Sequence, residues 1–80
     1  MGTKRNPGAF DCYAAAAAED EPMFVLLARD RHAPLLVEMW ASMREVWGES
    51  PEKVAEARAC ARSMRDWLIA RERERKEAAP

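Results

Sequence analysis

Ala33-Pro34-Leu35-Leu36-Val37-Glu38-Met39-Trp40-Ala41-Ser42-Met43-Arg44-Glu45-Val46-Trp47-Gly48-Glu49-Ser50-Pro51-Glu52 is the stretch that decides the fold. Leu36, Trp40, Met43 and Trp47 fall four, three and four apart, the repeat of a single helical face. Gly48 follows at once and stops a helix well, because glycine enters the left-handed conformation without a Cβ clash. Ser50 then offers a hydroxyl cap, Pro51 suits a first helical position, and Glu52 sits beside the positive end of the helix dipole. The stretch predicts a helix over 34–47, a tight connection and a second helix from 51. Leu35, Val37, Met39 and Val46 widen the first helix's apolar face, leaving Glu38, Ser42, Arg44 and Glu45 for water. So wide a face belongs to a helix that is central in the fold or shared with a partner.

Working outward, Val54, Ala57, Ala61, Met64 and Leu68 repeat at three and four, with Cys60 and Trp67 broadening the seam. Small residues there let helices approach closely but bury little area each. From Arg71 to Glu77 every residue is charged, and Glu72 with Lys76 makes a favourable spacing of four. A helix over 51–77 would be roughly 40 Å long at 1.5 Å per residue. Its last turns should therefore overhang a body of roughly 30 Å. Towards the N-terminus, Gly2, Pro7 and Gly8 make residues 1–10 an irregular arm with Phe10 as its anchor. Asp11 and the alanine run predict a short helix over 12–19. Pro22 behind Glu19, Asp20 and Glu21 predicts another over the apolar run 22–28. Short connections favour antiparallel neighbours. The expected fold is all-α: a small helical bundle in which an antiparallel helical hairpin carries one or two short N-terminal helices packed across it. Residues 11–70 form the single helical domain, and 71–80 a charged helical extension or frayed tail.

Composition narrows the function. The 80 residues carry 13 basic and 14 acidic side chains for a net charge of −1, which disfavours both a nucleic-acid coat and a wholesale DNA mimic. Hydrophobic residues reach 49 %, but 16 of them are alanine, so five Met and three Trp must supply much of the core volume. No apolar run approaches the roughly 18 to 20 residues of a membrane span, and residues 1–9 lack the apolar core of a signal peptide. The expected compartment is the cytoplasm, with no membrane partner. His32 is the only histidine, no nucleophile has a base beside it, and no glycine-rich phosphate loop occurs, so no catalytic residues are assigned and the chain is read as a non-enzyme. Cys12, His32 and Cys60 are the right donor types for zinc but lack a fourth ligand and the usual short spacings; neither a metal nor any other cofactor is expected.

Two binding readings remain. Trp40, Met43 and Trp47 form an apolar edge rimmed by Glu38, Arg44 and Glu45, while Glu19, Asp20 and Glu21 make the most acidic turn in the chain. The Trp and Met set, with Met23, Met39, Met64 and Trp67, is core in the simplest reading. In the other it is core plus an exposed edge, because Trp is enriched among interface hot spots and Met adapts to partners. A host protein or protein complex is the expected partner, and the surplus apolar face makes a homodimer possible. The alternative is a small DNA- or RNA-contacting regulator using Arg58, Arg62 and Arg65, spaced four and three along the second helix. Nucleic acid is the less favoured partner, because Glu52, Glu56 and Asp66 interrupt that stripe and no aromatic residue interleaves it.

Several stretches carry a resemblance. Arg5-Asn6-Pro7-Gly8, Asp11-Cys12-Tyr13, Asp20-Glu21-Pro22-Met23-Phe24-Val25-Leu26-Leu27-Ala28-Arg29-Asp30, Ala33-Pro34 and Lys53-Val54-Ala55-Glu56-Ala57 together span most of residues 4–68. In these the chain resembles a group of short uncharacterised proteins of high-GC bacteria and of their phages and prophages. The resemblance transfers no activity and no site residue. It implies a class of role: small phage-borne helical proteins often bind and inhibit a host complex, anti-CRISPR proteins being one such group.

Overall fold

The computed structural model describes residues 1–3, 5–10 and 18–78. Two helices dominate, α1 (Ala33–Val46) and α2 (Pro51–Ala78), and the described residues contain no strand. The all-α expectation is met, and both helix boundaries fall within one residue of those expected from the sequence.

The turn before α1 is built by Asp30. Its amide donates to the Leu27 carbonyl (2.9 Å), its carbonyl accepts from Ala33 (3.0 Å), and its side chain accepts from the His32 amide (2.9 Å). Pro34 then sits in the first turn, where a missing N–H costs nothing. At the other end Gly48 adopts φ +77°, its amide donating to the Glu45 carbonyl (3.1 Å) while Glu49 donates to Arg44 (2.9 Å). This pair of bonds is a Schellman closure, and it turns the chain in four residues. The Ser50 hydroxyl accepts weakly from the Lys53 amide (3.4 Å) and donates to Glu52 (2.9 Å). Both that bond and Glu52's own amide hold the Glu52 carboxyl below the usual carboxylate range, the amide having the larger effect.

The two helices pack through their smallest side chains. Ala41 of α1 meets Val54 and Ala57 of α2, with Val37, Trp40 and Met1 closing over them, and Ala33 and Ala61 are also fully buried. Among the described residues, fully buried positions hold nothing larger than alanine; Val54 is 3 % exposed. The α2 seam is the expected one: Met64 and Leu68 continue it, half-buried. Of the core and exposed-edge readings of the α1 face, the exposures match the second for Leu36, Met43 and Trp47, at 44 %, 55 % and 84 %, while Ala33, Val37 and Ala41 are among the more buried positions of α1. An alanine seam explains this facing, since bulky side chains on α1 would hold the helices apart and forfeit its contacts.

One correction concerns residues 21–27, which form neither helix nor strand. A helix of under two turns must dock to persist, and the α1–α2 seam is already closed. Phe24 and Val25 consequently stand exposed at 86 % and 57 %. The helix expected over 12–19 lies outside the described residues except at 18 and 19, as does Cys12. The N-terminal arm is anchored less by Phe10's ring than by Glu56, whose carboxylate accepts from the Met1 amino group (3.1 Å) and the Phe10 amide (3.2 Å). No helix among the described residues is long and apolar enough to cross a membrane.

Candidate functional site

Rotation of α1 onto its alanine face leaves a second apolar stripe pointing outward. Leu36, Met39, Met43 and Val46 follow one another at three, four and three, and Leu35 and Trp47 flank them; all six are more than two-fifths exposed. Three of the residues singled out from the sequence come together here: Trp40, Met43 and Trp47 line one shallow groove, and Arg44 joins them. Their surroundings differ. Trp40 is half-buried, with the Arg44 guanidinium 5.3 Å and the Lys53 ammonium 5.7 Å from its ring centre, both within cation–π range. Trp47 and Met43 have most of their surface open. Trp40 is therefore the floor of the groove and Trp47 its free wall.

A charged rim steadies that floor. Glu49, in the connection, lies 3.6 Å from Arg44 and 3.3 Å from Lys53, linking the end of α1 to the start of α2. Beside it, Arg58 donates to both Glu45 carboxylate oxygens, at 2.8 and 3.4 Å. This bond, and then the charge of Arg58, holds the Glu45 carboxyl below the usual carboxylate range. Arg58 is thus engaged across the helix pair, whereas Arg62 and Arg65 stay exposed and carry no ion pair among the described residues. Glu19, Asp20 and Glu21 are exposed, and Asp20 takes φ 52°, a left-handed position that aspartate tolerates better than most residues. They form no ion pair among the described residues. Nor does any trio of His, Cys, Asp or Glu among those residues stand close enough to hold a metal. Cys60 is half-buried on α2.

A second, larger groove lies at the opposite end of the helix pair, where Arg29 and Arg31 face Leu68, Arg71, Arg75 and Lys76. The sequence reading missed it. Its signal was present in the seam itself: the series 54, 57, 61, 64, 68 continues without a break to 71 and 75, so the face that packs on α1 turns from apolar to cationic where α1 runs out.

Compared with known proteins, the chain matches no family model, no curated protein and no solved structure.

Proposed function

We propose that the chain is a non-enzymatic protein-binding module in which α1 and α2, as an antiparallel hairpin, present the outer stripe of α1 to a partner protein. The observation that carries this reading is the exposed series Leu36, Met39, Met43, Val46 and Trp47 beside the Trp40 groove. Apolar area at this density is costly to leave in water, and its Trp and Met content suits a hot-spot contact with an adaptable surround. The resemblance to phage-borne proteins makes a host complex the partner class and inhibition the outcome, in the manner of anti-CRISPR proteins, with the cytoplasm as the place of action.

A second copy of the chain is the other occupant this surface suits. Folded monomers of 9.1 kDa expose about 4,900 Å² by the usual size scaling, and this chain exposes 6852 Å². A standard-sized dimer removes about 800 Å² from each partner, so the excess on one chain is more than enough to supply such an interface.

Light scattering on the free protein, followed by affinity capture from the native host with three variants, tests both. Met43→Gln and Trp47→Ser should abolish capture while helix content holds, and Asp20→Lys with Glu21→Lys should retain it. Loss of capture only in the double-lysine variant would move the site to the acidic turn. A mass near 9 kDa at high concentration would remove the homodimer. Capture unaffected by any of the three would defeat the docking proposal.

A further inference from the structure

The groove at the open end of the helix pair concentrates positive charge in a protein whose total is near zero. Arg29 and Arg31 come from the turn before α1, and Arg71, Arg75 and Lys76 from the last turns of α2; Glu72 is the one carboxylate in the lining. Glu72 lies 3.9 Å from Lys76, and the Asp30 carboxylate, between the two turn arginines in sequence, accepts from the His32 amide and forms no ion pair among the described residues. Arg29, Arg31, Arg71 and Arg75 have no carboxylate partner among the described residues. Bringing four guanidinium groups and an ammonium together around a single lining carboxylate costs repulsion, and an anion in the groove lowers that cost.

The charge does not stand alone. One α-helical turn back from Arg71, the indole of Trp67 is 42 % exposed, and the Arg71 guanidinium lies 4.8 Å from its ring centre. Trp67 and Arg71 line an adjoining hollow with Leu27, Ala28 and Arg29, so aromatic and apolar surface runs directly into the cationic groove. A free phosphate would need the cations alone. An acidic peptide would leave the indole unused. A chain of phosphates carrying flat, unpaired bases uses both, with phosphates on the arginines and a base stacked on the indole or the guanidinium plane.

We propose that the Arg29/Arg31/Arg71/Arg75 groove, with Trp67 as a stacking platform, is a binding site for single-stranded nucleic acid. It is separate from the Trp40 groove and does not depend on the docking role proposed for α1. It also differs from the Arg58, Arg62 and Arg65 stripe considered from the sequence, where Arg58 is already neutralised by Glu45.

A fluorescein-labelled ten-residue oligothymidylate, titrated with the full chain and read by anisotropy, tests the assignment. With four phosphates contacted, affinity should fall about 50-fold between 50 and 200 mM salt. The pair Arg71→Gln with Arg75→Gln should weaken binding at low salt at least tenfold and roughly halve the salt slope. Arg29→Gln with Arg31→Gln, on a different element, should do the same. Trp67→Ala should cost about five- to 150-fold while leaving the slope unchanged, the signature of a lost stacking contact. Arg62→Gln with Arg65→Gln should stay within twofold of wild type. Circular dichroism of each variant confirms that the helices persist; because all these arginines are exposed, they should. No binding at 50 mM salt would overturn the proposal, as would binding that only the Arg62 and Arg65 pair weakens. Equal competition by poly-glutamate or a DNA duplex, with no effect of Trp67→Ala, would mark a general polyanion surface and overturn it as well.

Discussion

Glu45 and Arg58 show what a single ion pair does in this chain. The two residues sit on different helices, thirteen positions apart, and the bidentate contact fixes which turn of α2 lies beside which turn of α1. Both side chains are partly or largely exposed, so the pair contributes more to register than to stability. Its pH dependence has a definite sign. The folded-state pKa of Glu45 is below its ordinary value, so its contribution is complete above about pH 5 and disappears as pH falls through the lowered value. Thermal melts of wild type from pH 7 to pH 2 should show a decline beginning below pH 5, shallower in Glu45→Gln. Identical slopes would mean that the carboxylate's charge does not matter to folding. None of this was legible beforehand, because Arg58 was grouped with Arg62 and Arg65 by spacing alone. Spacing along one helix says which residues share a face. It says nothing of which one a carboxylate on another helix will reach.

At the scale of elements, the decisive fact is that α1 and α2 meet through alanine and valine, with Trp40 and Met1 only closing over the seam. Ala57 is fully buried against Ala41, so Ala57→Leu must push the helices apart or force a strained rotamer, at a cost of about 1–3 kcal/mol. For a chain of this size that lowers the melting temperature by roughly 4–8 °C per kcal/mol. Ala59→Leu, on the exposed face of the same helix, is the control and should shift it little. Equal shifts in the two variants would show that the seam is not the core. Helix boundaries were legible in the sequence because Gly48, Ser50 and Pro51 act through local backbone chemistry. The facing of α1 stayed open between core and exposed edge, because the helix carries two overlapping apolar stripes of the same period. Hydrophobicity alone favours the larger one, 36–40–43–47. Geometry favours the smaller one, since the partner seam is made of alanine and admits only close neighbours. The same logic accounts for residues 21–27: an apolar run behind a proline reads as a helix until its would-be partner surface proves to be closed. The Trp40, Met43 and Trp47 groove was legible in composition, as more tryptophan and methionine than so small an interior uses. The cationic groove was hidden because its two halves lie some forty residues apart in the chain, and only the helix pairing unites them.

At the scale of the whole molecule, α2 has 28 residues against 14 in α1, so about half of its length runs past α1. The radius of gyration is 14.6 Å, against about 11.6 Å for a compact chain of this length. The result is a molecule with a small seam in the middle and a groove at each end. The four-residue Schellman connection has a kinetic consequence. Glu45 meets Arg58, and Ala41 meets Val54, across a short loop closed by local hydrogen bonds, so the search for native contacts spans few intervening residues. Chains dominated by such near-neighbour contacts cross their folding barrier in microseconds to milliseconds. Temperature-jump relaxation followed by tryptophan emission should be single-exponential and complete within about ten milliseconds near the midpoint. A phase lasting seconds would place the rate-limiting event outside the helix pair. Rapid refolding would give a marginally stable body a means of surviving transient opening: each excursion closes before a protease or a second exposed chain can engage it.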